Sequence, residues 1–375
     1  IALRSVDEQR ITENAARLLY GERLMGSVSR METFAACAFA HFAKYGLELE
    51  ERKLYEIGAA DLGTLFHEAL KIYSMRLADE KLDFASVGDR RKEYIREAVE
   101  YAMTDYNNSV FYDSKRNEYM REKIYSMLER TAWALGKQTQ AGSFVPEKFE
   151  KSFIFEQNGM KIVGKIDRID IARADDRSYV KIIDYKSGKR TLDLGRIYDG
   201  LSLQLMVYLY SLMKDNEPGA AMYYNIDNPI VDYKEGVSAE DGILSSLQPQ
   251  GIVNSDSTVL KLLDKVTTSG KSCYIPVSYN KDGSLSKTSQ AASGDRLKLL
   301  GEYASMKLVE LGERISEGEV APNPYPDSCD YCPYRLVCGF DAARDGYRYP
   351  TKLNNDDSCY IKFSEGMNKD GKKLD

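Results

Sequence analysis

The sequence has little histidine, with two residues in 375, a single tryptophan and no excess of positive charge. No stretch approaches the roughly 20 consecutive apolar residues of a transmembrane helix, and no charged-then-apolar secretory signal opens the chain. We therefore expect neither membrane insertion nor export. Internal repeats and low-complexity tracts are also lacking, which argues against solenoid and fibrous folds. Because the chain begins at Ile1 rather than at methionine, we expect it to be part of a longer protein.

A nucleotide-binding P-loop is also lacking. That motif reads Gly-x₄-Gly-Lys-Ser/Thr. The run Ser269-Gly270-Lys271-Ser272 ends in this way, but Lys265 stands where the first glycine belongs. We therefore expect no ATPase activity from this chain, and any ATP-driven step would come from a partner subunit.

Composition and charge indicate an ordinary globular protein. Hydrophobic residues make up 43% and charged residues 29%, and the net charge is −6. Residues 165–196 differ from this average, with nine Lys/Arg against six Asp/Glu. A basic segment within an acidic chain is compatible with a DNA site, because DNA affinity comes largely from neutralising phosphates. A solvated charged face explains the same charges equally well.

The hydrophobic periodicity predicts helices, then a sheet interrupted by a helix, then further helices. Apolar spacing and capping signals favour helices over 29–46, where Ser29 and Glu32 resemble a capping box, and over 62–75, 198–213 and 296–318, with two long helices within 87–138. Alternating or β-branched runs favour strands at 153–155, 160–171, 179–185 and 221–226. Residues 235–270 read as loops with one short helix near 259–266.

This order gives an α/β fold class and one domain over 1–375. We expect a helical part at 27–140, a core at 144–230, a C-terminal part at 231–341 and a polar tail at 342–375 that frays.

Two aspartates and a lysine form the candidate catalytic set. Asp184 and Lys186 are two apart at the end of a predicted strand, so they share one face. If the two central strands form a hairpin, Asp167 can lie beside Asp184. Paired carboxylates suit a hard divalent cation, and a lysine beside them can orient water and stabilise charge on a phosphate. The triplet is short, however, and solvated charges at a strand end remain an alternative interpretation.

Four further polar residues join this hypothesis. His67 lies on a helix among apolar neighbours, and Gln204 and Tyr208 share a helix face because they are spaced i, i+4. Glu150 leads into the sheet. A hydrogen-bonded helix histidine and an ordinary amphipathic helix are the structural alternatives for these residues.

The cysteines indicate a metal site. Three of the six are clustered as Cys329-x₂-Cys332-x₅-Cys338, and Cys37 is the candidate for a fourth ligand. Four thiolates can hold either a structural zinc or an iron–sulfur cluster. Cys273 and Cys359 are expected to be plain small residues.

Five short motifs stand in the order seen in RecB-like nucleases of the PD-(D/E)XK superfamily. They are Gly63-x₃-His67, Glu150-x₂-Phe153, Gly164-x₂-Asp167-Arg168-x-Asp170, Asp184-Tyr185-Lys186-Ser187-Gly188 and Gln204-x₃-Tyr208. The resemblance implies a restriction-endonuclease-like core, with a central mixed sheet flanked by helices. It also implies Mg²⁺ or Mn²⁺ ligation by His67, Asp167, Asp184 and the Tyr185 carbonyl, with Lys186 catalytic. Gln204 and Tyr208 would help to hold DNA, and Glu150 would support the site.

Three further runs are Ser27-Val28-Ser29-Arg30 ahead of Cys37, Asp282-Gly283-Ser284-Leu285 before the last long helix, and Pro333-Tyr334-Arg335-Leu336-Val337-Cys338. With these runs, residues 27–341 resemble more closely the C-terminal nuclease domain of the AddB family. This resemblance implies a [4Fe–4S] staple held by Cys37, Cys329, Cys332 and Cys338, although Ala38 stands where that family usually has proline. It implies cleavage of mainly single-stranded DNA during double-strand-break repair in the bacterial cytoplasm, in a heterodimer with a helicase-nuclease subunit resembling AddA. A stand-alone nuclease of the CRISPR-adaptation type and an inactive DNA-binding scaffold are the alternatives.

Overall fold

The computed structural model describes residues 10–50, 58–105, 111–112, 114–233 and 235–369. Thirteen α-helices lie in these residues: α1 (Glu13–Tyr20), α2 (Val28–Ala36), α3 (Ala38–His41), α4 (Ala59–Asp79), α5 (Arg91–Asp105), α6 (Lys115–Ala141), α7 (Leu194–Tyr198), α8 (Gln204–Leu212), α9 (Ala239–Ser246), α10 (Ser257–Leu263), α11 (Gly294–Ser316), α12 (Pro326–Cys329) and α13 (Asp357–Lys369). A π-helical turn (Phe42–Gly46) follows α3, and a 3₁₀ turn (Gly88–Arg90) precedes α5.

The strands form one mixed sheet and one small ribbon. They are β1 (Leu24–Gly26), β2 (Val145–Gln157), β3 (Met160–Ala174), β4 (Arg177–Lys186), β5 (Glu217–Asn225), β6 (Gln250–Asn254), β7 (Gly270–Lys271), β8 (Ser278–Tyr279) and β9 (Ala291–Ala292). In the seven-stranded sheet, β3 pairs antiparallel with β2 and β4, and β1 pairs parallel with the start of β3. Then β5 is parallel to β4, β6 antiparallel to β5, and β9 parallel to β6. The predicted mixed sheet flanked by helices is confirmed.

Three hydrophobic cores hold the helices against the sheet. The first core packs α2, α8, α11 and α13 on one face, and the second packs α4, α5 and α6 with Ile183, Tyr185 and Tyr224 on the other. The third, smaller core joins β6 and α10 to Phe144. Burial of apolar surface in these cores is the main favourable term in folding. None of the described helices combines the length and the apolar character needed to cross a bilayer.

The predicted helix over 29–46 is wrong in its start and its continuity. Ser27, not Ser29, caps α2 by accepting a hydrogen bond from the Arg30 amide, and the helix ends at Ala36. At Cys37 the backbone is extended, with φ −165° and ψ 117°, before α3 begins. Ser29 and Glu32 therefore do not form the capping box that their spacing predicted for this helix.

Three other expectations differ from the structure. The predicted helix over 198–213 begins only at Gln204, with α8, because α7 ends at Tyr198 and the backbone turns at Gly200 with φ +81°. Residues 235–270 contain α9 and β6 in addition to a short helix, α10. The tail expected to fray contains α13, whose Cys359 and Phe363 are buried in the first core.

Candidate active site

The β3–β4 hairpin brings the two predicted aspartates together. The antiparallel register runs to Arg168 opposite Ile183, so one further step puts Asp167 opposite Asp184. Both side chains are largely buried, at 8% and 3% exposure. The backbone amide of Tyr185 donates a 2.7 Å hydrogen bond to Asp167 Oδ2, which fixes that carboxylate against the neighbouring strand.

Strands β2 and β3 change faces at this point. Ile166 and Ile169 both lie in the first core, although strict alternation would put residues three apart on opposite faces. Phe149 packs against the second core and Phe153 lies in the first, although residues four apart should share a face. Between them, Glu150 stands opposite Asp167 in the register and has φ +48°. Such a left-handed conformation is uncommon for a non-glycine residue, and it occurs often at functional sites.

His67, Glu150 and Asp167 form a carboxylate–histidine cluster whose donor atoms all lie within 4.8 Å of one another. Helix α4 supplies His67, whose Nδ1 is 3.2 Å from Asp167 Oδ2. Burial acts to lower the pKa of His67, but the hydrogen bond and charge of Asp167 outweigh it and raise that pKa. Burial also raises the pKa of Glu150, and the nearby Asp167 carboxylate adds to this rise. Two carboxylates and an imidazole form a donor set that fits a divalent cation.

Asp184 and Lys186 point to the same side of β4, as their spacing predicted. Lys186 Nζ is 2.5 Å from Asp184 Oδ2 and 3.1 Å from Gln204 Oε1. Burial raises the pKa of Asp184 to about 6, the Lys186 ammonium opposes this, and the Asp167 carboxylate contributes to it. The side chain of Lys186 is 25% exposed, and it is held by Asp184 of β4 and Gln204 of α8. Its ammonium group therefore lies at the edge of the buried carboxylates.

Tyr208 lies one turn after Gln204 and packs behind the site. Its ring centroid is 5.0 Å from that of Phe153 on β2. Its hydroxyl lies directly above Gly164, where a methyl group would overlap it. This close approach explains the glycine of the third motif. Because Tyr208 is only 4% exposed, its ring supports the site rather than offering a stacking surface.

Arg168 and Asp170, the other charged residues of the Gly164–Asp170 motif, form a buried ion triad with Lys181. Arg168 donates two hydrogen bonds to Asp170, from Nε at 2.6 Å and from Nη2 at 2.9 Å, and Lys181 Nζ is 2.8 Å from the same carboxylate. Arg168 and Asp170 are 1% and 0% exposed. Fork-like pairing of this kind satisfies both charges away from water. The triad is structural, and sequence spacing alone did not separate it from the site.

Sequence reasoning missed Glu32. Its carboxylate reaches from α2 to the start of α8, where Oε1 accepts hydrogen bonds from the amides of Leu203, at 2.7 Å, and Gln204, at 3.1 Å. Burial raises the pKa of Glu32 to about 7 against these hydrogen bonds. No local signal could have found this contact, because 171 residues separate Glu32 from Leu203.

The four predicted cluster cysteines converge although they come from opposite ends of the sequence. Cys37 follows α2, Cys329 ends α12, and Cys332 and Cys338 lie in the turns after it. Burial raises the pKa of the Cys329 thiol, and the thiols of Cys37, Cys332 and Cys338 each raise it further. Cys273 is not one of these four cysteines, and its Sγ contacts the carbonyl of Asp241 at 4.0 Å.

Arg348 fastens Cys37 to the cysteine-bearing segment. Its Nη2 donates hydrogen bonds to the carbonyls of Ala35, at 2.6 Å, and Ala36, at 3.2 Å, at the end of α2. Its Nε donates to the carbonyl of Asn323 at 2.5 Å, and its guanidinium lies 4.3 Å from the ring centroid of Tyr325. The guanidinium therefore caps the helix carbonyls and joins the two chain segments at once.

Comparison with known families agrees with this geometry. Residues 26–339 match the family model of the PD-(D/E)XK nuclease superfamily. The chain belongs to this superfamily. The nuclease domain is also similar to the B subunits of ATP-dependent helicase/deoxyribonucleases. That of Lachnoclostridium phytofermentans is 40% identical over 91% of this chain, and that of Bacillus subtilis is 33% identical over 93%. Each match covers 32% of the relative, so the chain spans about a third of the length of these relatives.

Proposed function

We propose that this PD-(D/E)XK nuclease domain hydrolyses phosphodiester bonds of DNA, with Mg²⁺ or Mn²⁺ as cofactor and single-stranded DNA as the main substrate. The observation that carries the proposal is the carboxylate–histidine cluster beside the Asp184–Lys186 pair. His67, Asp167, Asp184 and the Tyr185 carbonyl would hold the cation. Glu150 is close enough to join them, since its carboxylate lies within 4.8 Å of the His67 and Asp167 donor atoms.

Each side chain has a role that its surroundings support. A bound divalent cation would supply positive charge against the phosphate and make water more acidic. Lys186, held by Asp184 and Gln204, orients the attacking water and stabilises negative charge on the phosphate. Tyr208 packs α8 against Phe153 of β2 and Gly164 of β3, so that Gln204 stays beside Lys186.

Charge beside the cluster supports DNA as the substrate. Lys165 lies two residues before Asp167, is 63% exposed at its side chain and stands 3.6 Å from Glu150. The wider segment 165–196 carries nine Lys/Arg against six Asp/Glu, of which Arg168 and Lys181 are buried against Asp170. An exposed lysine beside the buried carboxylates suits a DNA backbone that is led into the site.

The relatives' name supports a partner. They are subunits of an ATP-dependent helicase/deoxyribonuclease, and this chain has no complete P-loop motif. We infer that the domain acts with a helicase-nuclease subunit resembling AddA, which unwinds DNA and supplies the single strand during double-strand-break end processing. Action on chromosomal DNA would take place in the bacterial cytoplasm.

The four converging thiols support a [4Fe–4S] staple held by Cys37, Cys329, Cys332 and Cys338. Zinc sites usually pair two closely spaced cysteines with two more. The split of three clustered cysteines and one distant cysteine fits that pattern less well than it fits an iron–sulfur cluster. The staple would close a loop of nearly the whole chain and so stabilise the fold.

Two experiments test these proposals. In the first, the protein is incubated with Mg²⁺ and an end-labelled oligonucleotide, either as a single strand or as a blunt duplex of the same sequence. We expect faster cleavage of the single strand. A preference for the duplex would contradict the substrate proposal. For the staple, iron and sulfide are measured in protein purified without oxygen. Cys338→Ser should lose both, and Cys273→Ser is the matched control that should keep them. Stoichiometric zinc without iron would contradict the cluster.

A further inference from the structure

The first turn of α8 lacks a cap of its own. Its N-cap position is Leu203, whose side chain makes no capping hydrogen bond. The first amides of a helix need acceptors, which Ser, Thr, Asp or Asn usually supply from the N-cap position itself. Here Glu32 supplies the acceptor from α2, with its carboxylate bonded to the amides of Leu203 and Gln204.

Gln204, whose amide is bonded to Glu32, also contacts Lys186 of the candidate active site. Gln204 is the first residue of α8, and its Oε1 accepts a hydrogen bond from Lys186 Nζ at 3.1 Å. Lys186 Nζ in turn pairs with Asp184 Oδ2 at 2.5 Å. A continuous set of contacts therefore runs from Glu32, through the first turn of α8, to the Asp184–Lys186 pair.

Helix α2 is a firm support for Glu32. Ser27 caps its start, and four of its residues (Val28, Met31, Phe34 and Ala35) are buried in the first core. At its other end the Arg348 guanidinium holds the carbonyls of Ala35 and Ala36. The Glu32 carboxylate is thus presented from a helix fixed at both ends, which limits how far the start of α8 can move.

We propose that Glu32 is a positioning residue of the nuclease reaction, which keeps Gln204 against Lys186 by fixing the first turn of α8. The inference rests on the proposed nuclease function, and it assigns Glu32 no contact with DNA or metal. Its action needs an acceptor oxygen and not a negative charge, because either a carboxylate or a carboxamide can accept the two amide hydrogen bonds. Glutamine should therefore replace Glu32 with little loss, whereas alanine should not.

The test compares Glu32→Ala, Glu32→Gln, Gln204→Ala and the Glu32→Ala/Gln204→Ala double variant in Mg²⁺-dependent cleavage of a single-stranded oligonucleotide. We expect Glu32→Ala to lower kcat about 10- to 100-fold with KM nearly unchanged, because misplacement of about 1 Å at a catalytic group has effects of this size. Glu32→Gln should stay within about threefold of the wild type. The double variant should be no slower than Gln204→Ala, because residues acting through one contact are not additive.

Asp256→Ala is the matched control. Asp256 also caps a helix, α10, by accepting hydrogen bonds from the amides of Thr258, at 2.8 Å, and Val259, at 3.3 Å, but that helix packs in the third core. Loss of this cap should lower stability to a similar extent, about 1 kcal/mol, and leave kcat unchanged. An equal fall of kcat in Asp256→Ala, or multiplicative effects in the double variant, would overturn the positioning role.

Amide hydrogen exchange gives a readout that does not need activity. In Glu32→Ala the amides of Leu203 and Gln204 should exchange faster, while those in the middle of α8 keep their protection; Glu32→Gln should restore the protection. Unchanged exchange at Leu203 and Gln204 would overturn the inference even in a chain that cleaves DNA. A wild-type chain that fails to cleave DNA would count against the proposed function instead.

Discussion

Gly164→Ala tests the contact between β3 and Tyr208 most sharply. A methyl group at Gly164 would overlap the Tyr208 hydroxyl and lie 3.3 Å from the ring carbon that bears it. Tyr208 cannot easily retreat, because its ring is buried against Phe153 with centroids 5.0 Å apart. Overpacking of this kind lowers the free energy of unfolding by about 1–3 kcal/mol.

Removal of the hydroxyl should relieve the overlap. In a Tyr208→Phe background the nearest ring atom to the new methyl group is at 3.3 Å, a tight contact that a shift of a few tenths of an ångström removes. Tyr208→Phe alone should cost about 1 kcal/mol through its lost hydrogen bonding. The double variant should therefore be more stable than the sum of the two single changes predicts, by about 1–2 kcal/mol.

The assay is urea unfolding of the wild type, both single variants and the double variant. Gly188→Ala is the control, because nothing lies within 4 Å of a methyl group built there. Additive changes, with a coupling of less than about 0.5 kcal/mol, would refute the argument that the Tyr208 hydroxyl requires glycine at 164.

Two further predictions concern buried charge. Asp170→Ala should lower the free energy of unfolding by about 3–5 kcal/mol, because it leaves the Arg168 and Lys181 cations buried without their partner; a loss below about 1 kcal/mol in urea unfolding would contradict the triad. Burial, with help from the Arg30 charge, lowers the pKa of His41 to about 3, so the folded state binds fewer protons than the unfolded state below about pH 6.5. Stability tied to His41 should be lost as the pH falls, by about 2 kcal/mol at pH 5, and His41→Gln should remove this part of the acid sensitivity. Parallel stability curves for the two proteins between pH 7 and 5 would speak against it.

The sheet could be predicted from sequence because its strands carry strong local patterns. The β-branched and apolar runs of 160–171 and 179–185 correspond to β3 and β4, and the i, i+2 spacing placed Asp184 and Lys186 on one side of the strand. The helix predicted over 296–318 matches α11 within two residues at each end, whereas the helix predicted over 62–75 is three residues short at the start of α4 and four short at its end.

What sequence could not give depends on contacts between distant segments. Ser29 and Glu32 have the spacing of a capping box, yet Ser27 caps α2 and the Glu32 carboxylate caps another helix. Local spacing cannot distinguish these, because both use the same acceptor chemistry. The change of side-chain faces along β2 at Glu150 could not be predicted from residue types either. It arises from a positive φ, which the rule of strict alternation does not anticipate.

Metal-dependent cleavage tests the central claim most directly. The chain, purified without oxygen, is incubated with end-labelled single-stranded DNA and Mg²⁺, beside an EDTA control, Asp184→Ala and Asp282→Ala, which alters an exposed turn. The account predicts cleavage by the wild type and Asp282→Ala, and none with EDTA or in Asp184→Ala. Cleavage that persists in Asp184→Ala or with EDTA would contradict the assignment of this site.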